Sequence, residues 1–141
     1  MKNIKKTVCF ILFALSIASC TIEDNSKIES FPFTVYADEW EWNPAYGRYE
    51  AVYNFPQLTG KIYEGGSIIG AAFVREGSVE TQTSLPYSKT YSSTTGTYVE
   101  TISFDVALGM MPTICFYIQT SDRLGTYLRT HNFKITLIGY K

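Results

Sequence analysis

Tyr98-Val99-Glu100-Thr101-Ile102-Ser103-Phe104-Asp105-Val106-Ala107-Leu108 decides the fold. Its apolar members Tyr98, Ile102, Phe104, Val106 and Leu108 recur at every second position, opposed by Val99, Thr101, Ser103, Asp105 and Ala107, and only Glu100 breaks the pattern. A period of two places alternate side chains on opposite faces of an extended chain, so this is a strand with one face in a core and the other in water. The same alternation runs through Phe31, Phe33, Val35 and Ala37, through Tyr49, Ala51, Tyr53 and Phe55, through Ile114, Phe116 and Ile118, and through Phe133, Ile135 and Leu137. Residues 67–74, Ser-Ile-Ile-Gly-Ala-Ala-Phe-Val, are apolar on both faces and read as a central strand.

Turn chemistry separates these runs: Asn43-Pro44 with Gly47, Gly65-Gly66, Gly77-Ser78, Ser92-Ser93-Thr94-Thr95-Gly96, residues 109–112 and residues 121–125. Tyr87-Ser88-Lys89-Thr90-Tyr91 and Thr97-Tyr98-Val99-Glu100-Thr101 flank the Ser/Thr turn as a hairpin. No window carries a sustained 3.6-residue stripe; at most one helical turn fits, at residues 57–63. The expected fold is therefore all-β, an antiparallel β-sandwich of about seven to eight strands, immunoglobulin-like or jelly-roll-like. A small closed barrel is the alternative that periodicity alone leaves open.

The N-terminal residues read differently. Met1-Lys2-Asn3-Ile4-Lys5-Lys6 precedes an apolar run of residues 8–18, too short to span a bilayer, and then Ser19-Cys20. This is a secretory signal, and Ile17-Ala18-Ser19-Cys20 resembles the bacterial lipobox, whose cysteine is acylated and becomes the first residue of the mature chain. The expected organisation is residues 1–19 as a cleaved lipoprotein signal peptide, residues 20–30 as acylated Cys20 with an acidic tether, and residues 31–141 as one β-sandwich domain. The pair Glu23-Asp24 resembles the signal that sends Bacteroidota lipoproteins to the cell surface.

The chain of 141 residues has a formal net charge of −1 and is 45% hydrophobic but only 18% charged, which suits one ordinary domain. The signal removes three of the twelve Lys and Arg and none of the thirteen Asp and Glu, leaving a net of −4. That balance argues against a nucleic-acid partner, since phosphate binding depends on clustered cations.

Catalytic motifs are absent from the sequence: there is no G-x-S-x-G, no P-loop and no G-x-G-x-x-G. His131 is the single histidine and reads as a loop or strand-edge residue. Of three cysteines, Cys9 leaves with the signal and Cys20 carries lipid, so Cys115 has no partner for an internal disulfide and reads as a small buried hydrophobe. Asp38, Asp105 and Asp122 are too scattered to indicate a calcium site, and no metal or other cofactor is expected.

One constellation carries binding chemistry: Asp38-Glu39-Trp40-Glu41-Trp42-Asn43. In a continued strand Trp40 and Trp42 face one way and Glu39 and Glu41 the other. Exposed rings flanked by carboxylate and amide groups make a platform for sugars, the rings stacking on apolar sugar faces. The bland alternative is that one or both indoles fill the sandwich.

Trp42 and Tyr49, Leu85-Pro86-Tyr87, Thr101-Ile102-Ser103-Phe104-Asp105-Val106 and Asn132-Phe133-Lys134-Ile135-Thr136-Leu137-Ile138 together resemble small Bacteroidota lipoproteins of unknown function. The resemblance implies a lipid-anchored β-sandwich of the cell envelope; the expected location is the outer membrane, with surface exposure suggested by Glu23-Asp24. It supplies no activity. The expected role is a non-catalytic binding or interaction module held to the membrane by its N-terminal lipid, with a protein or a glycan as ligand; the alternative is a carbohydrate-binding module.

Overall fold

The computed structural model describes residues 26–94, 96–123 and 127–140. Among them are nine strands and one short helix: β1 (Ser26–Val35), β2 (Glu41–Asn43), β3 (Arg48–Asn54), α1 (Gly60–Gly65), β4 (Ser67–Glu76), β5 (Val79–Ser84), β6 (Tyr87–Ser93), β7 (Gly96–Ala107), β8 (Thr113–Thr120) and β9 (His131–Tyr140). They form two antiparallel sheets, one ordered β1-β9-β4-β5 and the other β2-β3-β8-β7-β6, packed as a β-sandwich.

The alternation read in the sequence sets which side chains meet. Ile102 and Ile118, Phe104 and Phe116, and Val106 and Ile114 are cross-strand partners of β7 and β8, so both strands present one apolar face. That face meets Phe133, Ile135 and Leu137 of β9, all fully buried. Phe116 and Phe133 stack across the layers at 4.3 Å between ring centroids, and Phe33 leans onto Phe116 at 5.3 Å. Each such side chain stabilises the fold by roughly 1.5–3 kcal/mol through its burial.

Residues 67–74 do lie within a central strand, since β4 sits between β9 and β5. Gly70 of β4 marks a close approach of the layers: a β-carbon there would run into the Phe104 ring and lie 3.1 Å from Leu85 Cδ1. The β6–β7 hairpin also forms where expected, pairing Tyr91 with Tyr98.

Two boundaries differ from the sequence reading. The first strand starts at Ser26 rather than Phe31, because residues 26–30 pair with residues 136–140 of the last strand. Local composition there is polar, and only the distant partner strand makes it extended. The helix begins three residues later than residue 57, where Thr59 caps it by accepting from the Ile62 N–H at 3.3 Å.

Register also assigns the two ends of the sandwich. Ser26, Ser67 and Tyr140 share one end, which also holds α1: Ile62 lies against Gly139, the partner of Lys27. Val35, His131 and the end of β4 share the opposite end. Cys9, Cys20 and Glu23-Asp24 lie outside the described residues.

Candidate functional site

After β1 the chain turns at once. Glu39 N–H bonds the Tyr36 carbonyl at 3.1 Å, and the Glu39 carboxylate accepts from the Tyr36 N–H at 2.7 Å. The same carboxylate accepts the Tyr53 hydroxyl at 3.0 Å, and burial together with this carboxylate pushes the phenol up to about 12. The turn ends the strand that sequence reading continued through residue 42, and the two tryptophans part company.

Trp40 is buried. Its ring packs in the core and edge-on to His131 at 5.9 Å, while its indole N–H donates to the Arg129 carbonyl at 3.1 Å. Trp40 thus follows the alternative in which an indole fills the sandwich, and its place as a ligand-binding residue is corrected: it has no face to offer a ligand, because a large ring with a satisfied polar atom gains more inside the sandwich. Trp42 stays 42% exposed. It lies in register with Tyr49 on edge strand β2, touching it edge-on at 5.0 Å.

Glu39, Glu41 and Trp42 do come together, along a groove of about 590 Å³ completed by Asp38, Glu50 and Tyr53. The groove exists because β2 is short. It pairs only with residues 48–50 of β3, so residues 51–54 have a strand partner on the β8 side alone. One of every two residues there directs its N–H and C=O toward the groove rather than into a ladder. Val52, 60% exposed, stands beside this open edge.

Behind the groove, on the outer face of the five-stranded sheet, Arg48 is clamped between carboxylates. Its Nε meets Glu50 Oε1 at 2.6 Å and its Nη2 meets Asp105 Oδ2 at 2.9 Å, while the guanidinium lies 3.9 Å from the Tyr117 ring centroid. Asn43 Nδ2 donates to the other Glu50 oxygen at 2.8 Å. Burial alone would raise the Glu50 carboxyl, but the Asn43 and Arg48 hydrogen bonds outweigh it and hold the group below its ordinary 4.5. Cys115 shares this outer face, opposite Val52 and Asp105, and is half-buried rather than buried. Desolvation, then Glu50, pushes its thiol up to about 11, which suits an unreactive side chain.

A second cavity, of about 350 Å³, opens between the sheets at the end away from α1, among Lys89, Tyr91, Glu100, Arg129 and His131. Glu100 is only 4% exposed and lies 3.9 Å from Arg129, whose guanidinium also donates to the Tyr91 hydroxyl at 3.1 Å. Burial, with some help from Arg129, pushes His131 down to about 4. Sequence reading passed over this cluster. Its signal was the carboxylate of Glu100 at an inward position, the one break in the alternation of β7. Asp38, Asp105 and Asp122 belong to no common site, and among the described residues no three His, Cys, Asp or Glu side chains gather as metal ligands.

Compared with known proteins, the chain matches no family model, no curated protein and no solved structure.

Proposed function

We propose that this chain is a lipid-anchored, non-catalytic binding module of the bacterial cell envelope, and that its partner is an extended protein segment taken up in the groove beside β3. The observation that carries the reading is the open edge at residues 51–54, where β2 stops and the groove begins. A strand edge in a groove takes an extended peptide by main-chain hydrogen bonds, with side-chain contacts adding selectivity. Asp38, Glu39 and Glu41 around it favour a segment carrying Lys or Arg, while Glu50 is already paired with Arg48. Glu39 and Glu50 are already held by hydrogen bonds to Tyr53, Asn43 and Arg48, an arrangement suited to positioning rather than proton transfer. Anchoring rests on the lipobox at Ile17-Ala18-Ser19-Cys20, and a place on the outer membrane, facing outward, on the resemblance to Bacteroidota lipoproteins and on Glu23-Asp24.

A photo-crosslinking residue in place of Val52, activated in intact cells, tests the groove. A protein adduct at position 52 that Glu41→Lys abolishes supports the reading. A carbohydrate-binding module is the second reading, favoured by the exposed Trp42 ring between Glu41 and Asn43. Glycan-array binding lost in Trp42→Ala, with no protein adduct at position 52, selects it. Neither adduct nor glycan binding overturns the groove as a site.

A further inference from the structure

The geometry points to a second membrane contact: the β7–β8 turn, residues 108–111, dips its apolar side chains into the bilayer that the Cys20 lipid enters. This inference rests on the acylation of Cys20 proposed above and adds to it a fixed orientation of the domain.

The turn reads Leu108-Gly109-Met110-Met111. Leu108 is 41% exposed, Met111 65% and Met110 fully so. Single exposed apolar residues are ordinary, but three within four positions at the tip of one hairpin form a cluster with no core to join. Methionine is unbranched and flexible, so its side chain adapts to a disordered surface such as acyl chains.

The position of this tip names its occupant. A β-carbon on Gly60 would lie 3.7 Å from Leu108 Cδ2, so the tip stands beside the start of α1. The Phe55 N–H bonds the Pro112 carbonyl at 2.7 Å, which ties the segment leading into α1 to the same turn. Ile62 of α1 lies against Gly139, which pairs with Lys27 of β1. The tip therefore shares the end of the sandwich at which β1 begins. Five residues separate Cys20 from Ser26, and the six peptide units between them span at most about 20 Å. A lipid on Cys20 keeps this end within about 20 Å of the bilayer, whereas the opposite end lies the ten residues of β1 further away.

Ile28, 65% exposed on the outer face of β1 opposite Ile138, and Lys27 and Lys61 lie at the same end. Lys27 is paired with Glu29 at 3.0 Å and α1 carries Glu64 beside Lys61, so the contact is carried by the apolar side chains and not by net charge. The short tether makes the second contact intramolecular, so a weak insertion suffices to hold the orientation. Such a pose points the Glu100–His131 end away from the membrane. Among the described residues no helix is long and apolar enough to cross a membrane.

The test uses the full acylated chain, with Cys115→Ser, in vesicles of phosphatidylethanolamine and phosphatidylglycerol. An environment-sensitive fluorophore is attached at Gln57→Cys, beside the tip, or at Ser78→Cys, at the opposite end, and quenched by doxyl-labelled lipids or by aqueous iodide. Lipid quenching severalfold greater at position 57 than at 78, falling to the level of 78 when Met110→Ser and Met111→Ser are added, is the expected result. Equal quenching at both positions in a vesicle-bound chain, or quenching at 57 that the serine tip leaves unchanged, overturns the insertion and leaves the anchor standing. Protection of position 57 from iodide without lipid quenching assigns the tip to a second copy of the chain and overturns it too. An unmodified Cys20 by mass spectrometry, in a chain that does not float with vesicles, overturns the anchored reading and this one with it.

Discussion

The Trp40 indole donates to the backbone carbonyl of Arg129 at 3.1 Å, joining the segment between β1 and β2 to the segment leading into β9. Those segments are 89 residues apart in sequence, and the bond closes the end of the sandwich over His131. Trp40→Ala is expected to cost about 3–5 kcal/mol, the range for removing a buried ring. Trp40→Phe keeps most of the packing but leaves the Arg129 carbonyl without its donor, for about 1 kcal/mol. Trp42→Ala, at the exposed edge, is expected to cost under about 1 kcal/mol. Urea denaturation of the three variants checks the order, and equal losses for Trp40→Ala and Trp42→Ala contradict it.

The clamp on Arg48 makes a prediction about acid. Glu50 titrates below 4.5 in the folded chain, so its stabilisation is complete above the unfolded value and is lost as pH falls through the lower, folded one. Arg48→Met removes the main cation and leaves the little-exposed Glu50 with Asn43 alone. A loss of about 1–3 kcal/mol at pH 7 is expected, with a shallower decline between pH 5 and 3 than in the parent. Denaturation midpoints across that range decide it.

His131 titrates in the same direction for a different reason. Its neutral form is favoured by burial, so stability is complete above its ordinary 6.5 and declines as pH falls from there through about 4. The full effect amounts to at most about 3 kcal/mol. His131→Gln is expected to flatten the stability profile between pH 6.5 and 5, above the range in which Glu50 acts. A profile of unchanged slope in the variant rules out the assignment.

Gly70 and Phe104 are expected to be coupled. Gly70→Ala places a methyl group in the Phe104 ring and is expected to cost about 1–3 kcal/mol by overpacking. The penalty shrinks in a Phe104→Leu background, where the ring is gone, and a double-mutant cycle reads the difference. Additive losses break the proposed contact.

Much of the fold was legible along the chain because a strand's two faces alternate residue by residue. The inward set Ile102, Phe104, Ile114, Phe116, Ile118, Phe133, Ile135 and Leu137 follows from period two alone, and the structure buries it or packs it against the core. The expectation for Cys115 already conflicted with that rule: its neighbours Ile114 and Phe116 point inward, which sends Cys115 outward. The candidate site was legible in part. Glu39, Glu41 and Trp42 share a groove as residue types at short spacing allow, but nothing local to Trp40 distinguishes it from Trp42.

Sequence alone determined the β-class, seven of the nine strands (all but the short β2 and the polar β5), most turns and the inward faces, since each depends on neighbours within a few residues. The tertiary structure decided what depends on distant partners: that residues 26–30 are a strand, because β9 lies beside them; that Trp40 is buried, because the core has room for its ring and the Arg129 carbonyl accepts a hydrogen bond from its N–H; and that Glu100, an interruption in one strand, meets Arg129 and His131. It also decided that the apolar turn at residues 108–111 stands at the end where β1 begins. Pairing and burial are relations between segments far apart in the chain, and local side-chain patterns do not contain them.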